Sequence, residues 1–364
     1  PKLNLMNQLH AQSVVVGVDV HKYSHTAVAL DAWGQEKGTL DFSNDSLAAY
    51  TAWLNSLGRQ SDITVALEDT NCYGVHLVKE LVQKGFAIRY VPAILTERER
   101  KASTRRHKSD YIDAKRVGRV ILTKFEETLP AKENIATEQE LKTAQTLDLL
   151  LMERRDLVKQ KTILKNQLHV LLHQYYGDHY ADAFPKAFHP KALEFFRSDL
   201  KKQSGVLAAG ILRRINRLEL IEAQILEISK AVSGASADSR EVAALTSTLH
   251  GCGTLTAGSI LAEAITVKRF GTKEKFAMYA GVAPREHSSG ARDRLYTNPF
   301  GNRRLNRALH TIALSQIACK GSDEGKRYYE KKLSEGKTKL WALRCLKRQI
   351  SGRVFQVLKQ VSGS

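Results

Sequence analysis

The run Ser13–Val20 (SVVVGVDV) constrains the fold of this chain more than any other stretch. It is β-branched and small, too short for a helix, and apolar without alternation. It reads as a strand, and as the most apolar strand of the chain. Asp19 therefore sits where a carboxylate is costly to bury, and something must compensate it. A backbone cap or pairing with Lys22 would suffice for one acid.

The neighbouring segments supply the rest of a sheet. Thr26–Leu30 and Gly38–Phe42 read as strands around the turn Asp31–Gly34, and Ser46 opens an amphipathic helix that stops at Gly58. Ile63–Leu67 is a fourth strand, Val75–Gln83 a helix and Ala87–Val91 a fifth strand. The order β-β-β-α-β-α-β fits a ribonuclease-H-like domain of the kind that resolvase (RuvC-like) nucleases share. The expected boundaries of this domain are 1–130.

Residues 131–238 change character. Leu147, Leu150, Leu157, Leu164, Leu168, Leu171 and Tyr175 recur in a 3-4 rhythm that also puts Arg154 and Lys161 on the seam. A second run is Ile211, Leu218, Ile221, Ile225, Ile228 and Val232. Two such helices joined by residues 176–205 predict a central antiparallel coiled-coil arm, or a plain helical spacer, and neither offers chemistry.

The remaining segment, 239–364, is expected to be mostly helical, and it is basic. From Lys268 onward there are 22 Lys and Arg against 7 Asp and Glu, a surplus of 15 out of a whole-chain charge of +18. GNRRLNRAL (Gly301–Leu309) and WALRCLKRQISGR (Trp341–Arg353) read as helices whose polar faces carry arginines of one sign. That pattern favours contact with phosphates. With 43% hydrophobic and 26% charged residues, a wholly disordered chain is excluded. No run of 18 apolar residues predicts a membrane span. Cys72, Cys252, Cys319 and Cys345 lie far apart without a C-x-x-C pair, which predicts neither a disulfide framework nor a zinc site. The N-terminus has no signal-peptide pattern, so the expected location is cytoplasmic, in a bacterium at the nucleoid when acting.

Glu68 follows ITVAL much as Asp19 closes its own strand. In RRHKSDYIDAKRV, Asp110 and Asp113 are three apart on a predicted helix with Ser109 as N-cap, and so share a face. First-turn acids are commonly mere dipole partners. Taken together, Asp19, Glu68, Asp110 and Asp113 form a D-E-D-D set of hard oxygen donors suited to Mg²⁺ or Mn²⁺. Two such ions can serve phosphodiester cleavage. The histidines have no carboxylate company at helical spacing, and none is expected to be a ligand. Tyr328 and Tyr329 lack the partners of a tyrosine recombinase and read as structural.

GVDVHK, ALEDTNCYG and HKSDYIDAKRVGRV resemble the acidic motifs of the DEDD transposases of insertion sequence family 110, relatives of the pilin-gene invertase. TLHGCGTLTAGSILAEA (Thr248–Ala264) resembles that family's helix-hairpin-helix-like stretch. FAMYAGVAPREHSS (Phe276–Ser289) resembles its Tyr-Ala-Gly-x-x-Pro segment, and GNRRLNRAL its arginine-rich helix. The likeness covers both ends of the chain in order. The departures are Cys252, where the family often has Val or Ile, and the NPF before GNRR.

The resemblance implies a C-terminal transposase domain whose serine attacks DNA while the acidic domain holds the metals. The family's serine stands five residues after the proline and before a glycine, which here is Ser289 between Pro284 and Gly290. Read without the family, Ser-Ser-Gly is an ordinary loop, and Ser288 is a confounder. The residues expected to meet nucleic acid are Arg105, Arg106, Lys108, Gly251, Gly253, Arg285, Arg292, Arg294, Arg303, Arg304 and Arg307. For Gly251 and Gly253 a tight connection between helices is the plain alternative. The resemblance also implies RNA guidance: a noncoding bridge RNA, target and donor DNA as partners, and a homo-oligomer, a dimer that becomes a tetramer in the synaptic complex. The rivals are a metal-dependent junction-resolving endonuclease that uses water and a non-enzymatic nucleic-acid-binding protein.

Overall fold

The computed structural model describes residues 9–68, 73–102, 109–178, 180–184, 186–289, 292–296, 301–319 and 324–363. They divide into two compact units, each drawn from separated stretches. One comprises Pro1–Leu141, Ile265–Asn306 and Lys347–Ser364; the other comprises Lys142–Ala264 and Arg307–Leu346.

The first unit is built on a six-stranded mixed sheet of order β3-β2-β1-β4-β5-β6. The strands are β1 (Val14–Val20), β2 (Ser24–Asp31), β3 (Glu36–Ser43), β4 (Ile63–Glu68), β5 (Ala87–Val91) and the short β6 (Leu129–Pro130). β1, β2 and β3 form an antiparallel meander, while β1, β4 and β5 run parallel. This is the arrangement the ribonuclease-H-like reading requires. The helices are α1 (Leu47–Ser56), α2 (Val75–Gln83), α3 (Ala93–Ala102), α4 (Asp110–Lys124) and α5 (Lys132–Ile135). β6 and α3 were not foreseen. β6 has two residues and half of α3 is charged, so neither carries a periodic signal.

The apolar run of β1 has two covers. Val14, Val16 and Val18 join Val65 and Leu67 of β4 in a core with Tyr50 and Leu54 of α1 and Leu77, Val78 and Leu81 of α2. Val15 faces the other way, into a core with Ala66 of β4, Leu95 of α3 and Val117, Val120 and Ile121 of α4. Strand alternation then gives Gly17 and Asp19 to the α4 side, and Glu68 as well, since Ala66 shares its parity. On that side α4 lies against bare backbone. A Cβ built on Gly17 would fall 2.1 Å from the Ala114 carbonyl oxygen and 2.5 Å from the Gly118 nitrogen.

The second unit carries two long helices, α6 (Glu138–Tyr176) and α9 (Val206–Ala235), with α7 (Tyr180–Ala183) and α8 (Pro190–Leu200) between them. Lys161 pairs with Glu222 at 2.7 Å and Arg154 Nε donates to Ser229 Oγ at 2.9 Å, so the long helices run antiparallel. Leu164, Leu168 and Leu172 pack with Ile211, Ile215, Leu218 and Ile221, and α8 adds Leu193 and Phe196. Each heptad position named on α9 packs inward or is half-buried; Leu172 and Ile215 lie in the same core without having been marked by the rhythm. The hairpin α10 (Arg240–Thr248) and α11 (Thr254–Ala264) follows.

Further along are α12 (Lys273–Tyr279), the antiparallel ribbon β7 (Arg285–Ser289) and β8 (Arg292–Tyr296), α13 (Arg303–Ala318), α14 (Glu324–Ser334) and α15 (Lys339–Gly363). Both arginine-rich blocks are thus helical. No helix among the described residues is long and apolar enough to cross a membrane.

Because the atoms facing Gly17 are backbone and cannot rotate away, Gly17→Ala should destabilise the protein by about 3 kcal/mol. Gly58→Ala is the control: its surroundings are open, with nothing within 4 Å, and its φ of 155° brings only local strain. Chemical denaturation of the two variants measures the difference.

Candidate metal centre and nucleic-acid surface

Asp19 is the penultimate residue of β1 and Glu68 the last of β4. The parallel register pairs Val18 with Leu67, which sets the two acids side by side where their strands end. α4 contributes its first turn. Ser109 is its N-cap, accepting from the Ile112 N–H at 3.3 Å, and Asp110 and Asp113 follow. The bare crossing at Gly17 brings that turn over Asp19.

His21, just beyond β1, completes the group. Its Nε2 lies 3.3 Å from Asp19 Oδ2 and 3.4 Å from Asp110 Oδ2. One donor atom from each of Asp19, His21 and Asp110 falls within 4.8 Å of the others, a spacing at which one divalent cation can be held. The expectation that no histidine is a candidate ligand is therefore corrected, and Asp19 pairs with His21 rather than Lys22. The signal was Asp-x-His at strand spacing, not helical spacing.

The turn that carries His21 is itself tied down. His21 N–H donates to the Ser24 carbonyl at 3.2 Å, and Asn44 Nδ2 donates to the Lys22 carbonyl at 3.0 Å. The buried His25, whose pKa burial lowers, meets Asn44 Oδ1 through Nε2 at 2.9 Å.

Glu68 and Asp113 stand outside the close trio, and each has its own partner. Thr96 of α3 donates from its hydroxyl to Glu68 Oε1. The buried Arg116 donates to Asp113 Oδ1 at 2.6 Å. Asp19 has, among the described residues, only the His21 ring that it shares with Asp110. Burial pushes its carboxyl above the usual range; His21 opposes the shift, and the charges of Asp113, Asp110 and Glu68 add to it. A mostly oxygen donor set whose neighbouring charges raise the Asp19 carboxyl fits a divalent cation.

Ser289 ends β7, and its backbone register partner is Arg292; Ser288 pairs with Asp293, His287 with Arg294 and Arg285 with Tyr296. Arg105, Arg106 and Lys108 lie outside the described residues. Arg303 and Arg307 are exposed at the start of α13, and Arg304 is half-buried. Gly251 has φ of 81° and a Cβ there would meet Ser315 Cβ at 2.6 Å, so a close packing contact already requires glycine at this position. Around Gly253 the space is open.

Two family models match this chain. A transposase model, that of the DEDD transposases of IS110, covers residues 16–177, and one described as "Transposase IS116/IS110/IS902 family" covers residues 243–330. The chain is also 36% identical over 113 residues to "Insertion element IS110 uncharacterized 43.6 kDa protein" of Streptomyces coelicolor. That stretch is 30% of this chain and 27% of the relative.

The raised Asp19 pKa has a signed consequence. The folded state holds the proton more tightly, so stability falls as pH rises through the ordinary carboxylate range up to the folded pKa, and stays lower above it. Asp19→Asn should therefore raise the Tm at about pH 7 and leave it unchanged at about pH 3. Added Mg²⁺ or Mn²⁺ should raise the Tm of the wild type and not that of Asp19→Asn. Differential scanning calorimetry reads both.

Proposed function

For this chain, which belongs to the IS110 family of insertion-element transposases, we propose that the DNA-processing activity is RNA-guided recombination through a covalent phosphoserine–DNA intermediate. The observation that carries the reading is the meeting of acids from β1, β4 and the first turn of α4 at one end of the sheet. In this reading the family domains run as 1–130 for the acidic domain, 131–238 for a coiled-coil arm and 239–364 for the serine domain.

Asp19, Glu68, Asp110 and Asp113, with His21, hold divalent metal, Mg²⁺ or Mn²⁺. When bound, that metal neutralises the phosphate and the charge developing on the oxygens around it. The chain's own residues do the rest. Ser289 Oγ attacks phosphorus, a new P–O bond forms as the DNA strand's own oxygen leaves, and the serine proton passes to a carboxylate. One phosphoester replaces another, so strands can be exchanged without an external energy source.

The ribbon's register supports Ser289 over Ser288. Neighbouring strand positions alternate faces, and position 289 shares its face with positions 292 and 294, both arginines. Position 288 shares its face with Asp293. The arginines of the ribbon and of α13 hold nucleic-acid phosphates. The bridge RNA pairs with target and donor DNA, so base pairing chooses the sequence while the protein reads backbone and shape. Recombination of two sites requires at least two copies of the chain, a dimer that doubles to a tetramer in the synaptic complex.

The decisive experiment incubates protein, the element's noncoding RNA and both DNA partners with Mg²⁺, then traps and sequences any protein–DNA adduct. Ser289→Ala should bind nucleic acid but form no adduct, with recombination down about a thousandfold or more; Ser288→Ala should keep at least part of the activity. An adduct on Tyr328 or Tyr329, or cleavage without adduct, would replace this mechanism by another. The double variant Asp110→Ala, Asp113→Ala should lose cleavage while binding at or above the wild-type level, because removing negative charge cannot weaken attraction for phosphate. Mixing Asp19→Ala with Ser289→Ala protein should restore activity if one copy's acids serve another copy's serine.

A further inference from the structure

Among the described residues, one buried cation outside the acidic cluster stands without an anion. Arg269 closes the short helical turn Val267–Arg269 and is 4% exposed. Its Nε is sealed from solvent with no hydrogen-bond partner. Among the described residues no carboxylate pairs with it, and its guanidinium lies by the rings of Phe270 and Tyr279, at 5.5 and 5.7 Å from their centroids.

The other buried arginines of the same unit are satisfied. Arg89 donates to Thr128 Oγ1 at 2.8 Å, to the Thr128 carbonyl at 2.9 Å and to the Phe125 carbonyl at 3.1 Å. Arg116 has Asp113. Aromatic faces orient a guanidinium but accept none of its in-plane hydrogen bonds. A guanidinium whose Nε is sealed and unpaired is incomplete until an anion arrives.

The surroundings select phosphate as that anion. The Tyr279 ring that flanks Arg269 also anchors the start of α13. Asn302 N–H donates to the Tyr279 carbonyl at 2.7 Å, and Asn302 Nδ2 donates to the Tyr279 hydroxyl at 3.2 Å. Asn302 Oδ1 in turn caps α13, accepting from the N–H groups of Arg304 and Leu305 at 3.0 and 2.9 Å. The oriented guanidinium and the exposed Arg303 are thus tied to one ring. Both belong to the stretch that holds 22 basic against 7 acidic residues. We propose that Arg269 is a seat for a nucleic-acid backbone phosphate, preset by Phe270 and Tyr279. This rests on the reading of the chain as a nucleic-acid enzyme, and adds to it a contact that reads no sequence.

The test titrates salt against binding of the full-length protein to a mixed-sequence DNA duplex and, separately, to an RNA duplex of the same sequence. Arg269→Met should weaken binding about tenfold on the duplex it contacts, by the same factor for unrelated sequences, and lower the salt slope by about one phosphate contact. A fall on DNA alone assigns the phosphate to a DNA strand, and a fall on RNA alone to the guide. The Tm of the free protein should hold or rise, because the variant removes an unpaired buried charge. Unchanged affinity and slope on both duplexes would overturn the proposal. Should Arg269→Met fail to fold, Arg269→Lys decides. A weaker complex with the wild-type salt slope supports the seat, since a point charge replaces a fork of donors, and wild-type affinity refutes it. If the wild type itself shows no salt-dependent binding to either duplex, the functional reading fails together with this one.

Discussion

Everything at the acidic end of the sheet depends on a contact between two pieces of backbone. α4 can lie on β1 only because Gly17 has no side chain where the Ala114 carbonyl and the Gly118 nitrogen approach. A helix held off the sheet by an ordinary residue would carry Asp110 and Asp113 away from Asp19. The glycine lies two positions before the aspartate on the same strand face, so the element that admits the helix also presents the acid to it. The outer edge of α4 is fastened separately. Lys115 Nζ donates to Glu36 Oε2 at 2.8 Å and the Tyr111 hydroxyl bonds the same carboxylate, whose pKa these partners hold down at about 2.

The site brought together in this way works against folding. Four carboxylates and one imidazole occupy a small region, and among the described residues two of the acids have dedicated donors, Thr96 for Glu68 and Arg116 for Asp113. The trio Asp19, His21 and Asp110 is left with its mutual repulsion and one shared ring. Two well-packed cores on either side of β1 absorb that cost. Arg269 shows the same pattern with the opposite charge, a buried ion that has no counter-ion among the described residues. Both features are what a protein shows when its binding sites are shaped ahead of their ligands.

Particular elements show why the sheet was legible. α2 and β5 have the limits that their patterns predict, and Ser109 caps the helix it was expected to cap. In each case the signal is local: alternation, a run of β-branched residues, or a hydroxyl before a helical face. The seam of α6 and α9 was legible for the same reason, down to Arg154 and Lys161, whose places in the lattice are taken up by Ser229 and Glu222. α3 and β6 escaped because short or charged segments leave no period to read.

What the sequence determined by itself was the strands β1 to β5 with α1, α2 and α4, the two long helices, the acids, the basic C-terminal stretch and the likeness to a transposase family, since each is written in neighbouring residues. Only the tertiary structure decided which acids stand together, that His21 joins Asp19 and Asp110, that Gly251 is required by packing against Ser315, and that Arg269 has no anion among the described residues. Those facts depend on the distance between chain segments remote in sequence. Such distances are set by how closely backbones can approach and which buried charges meet, and no local pattern encodes either.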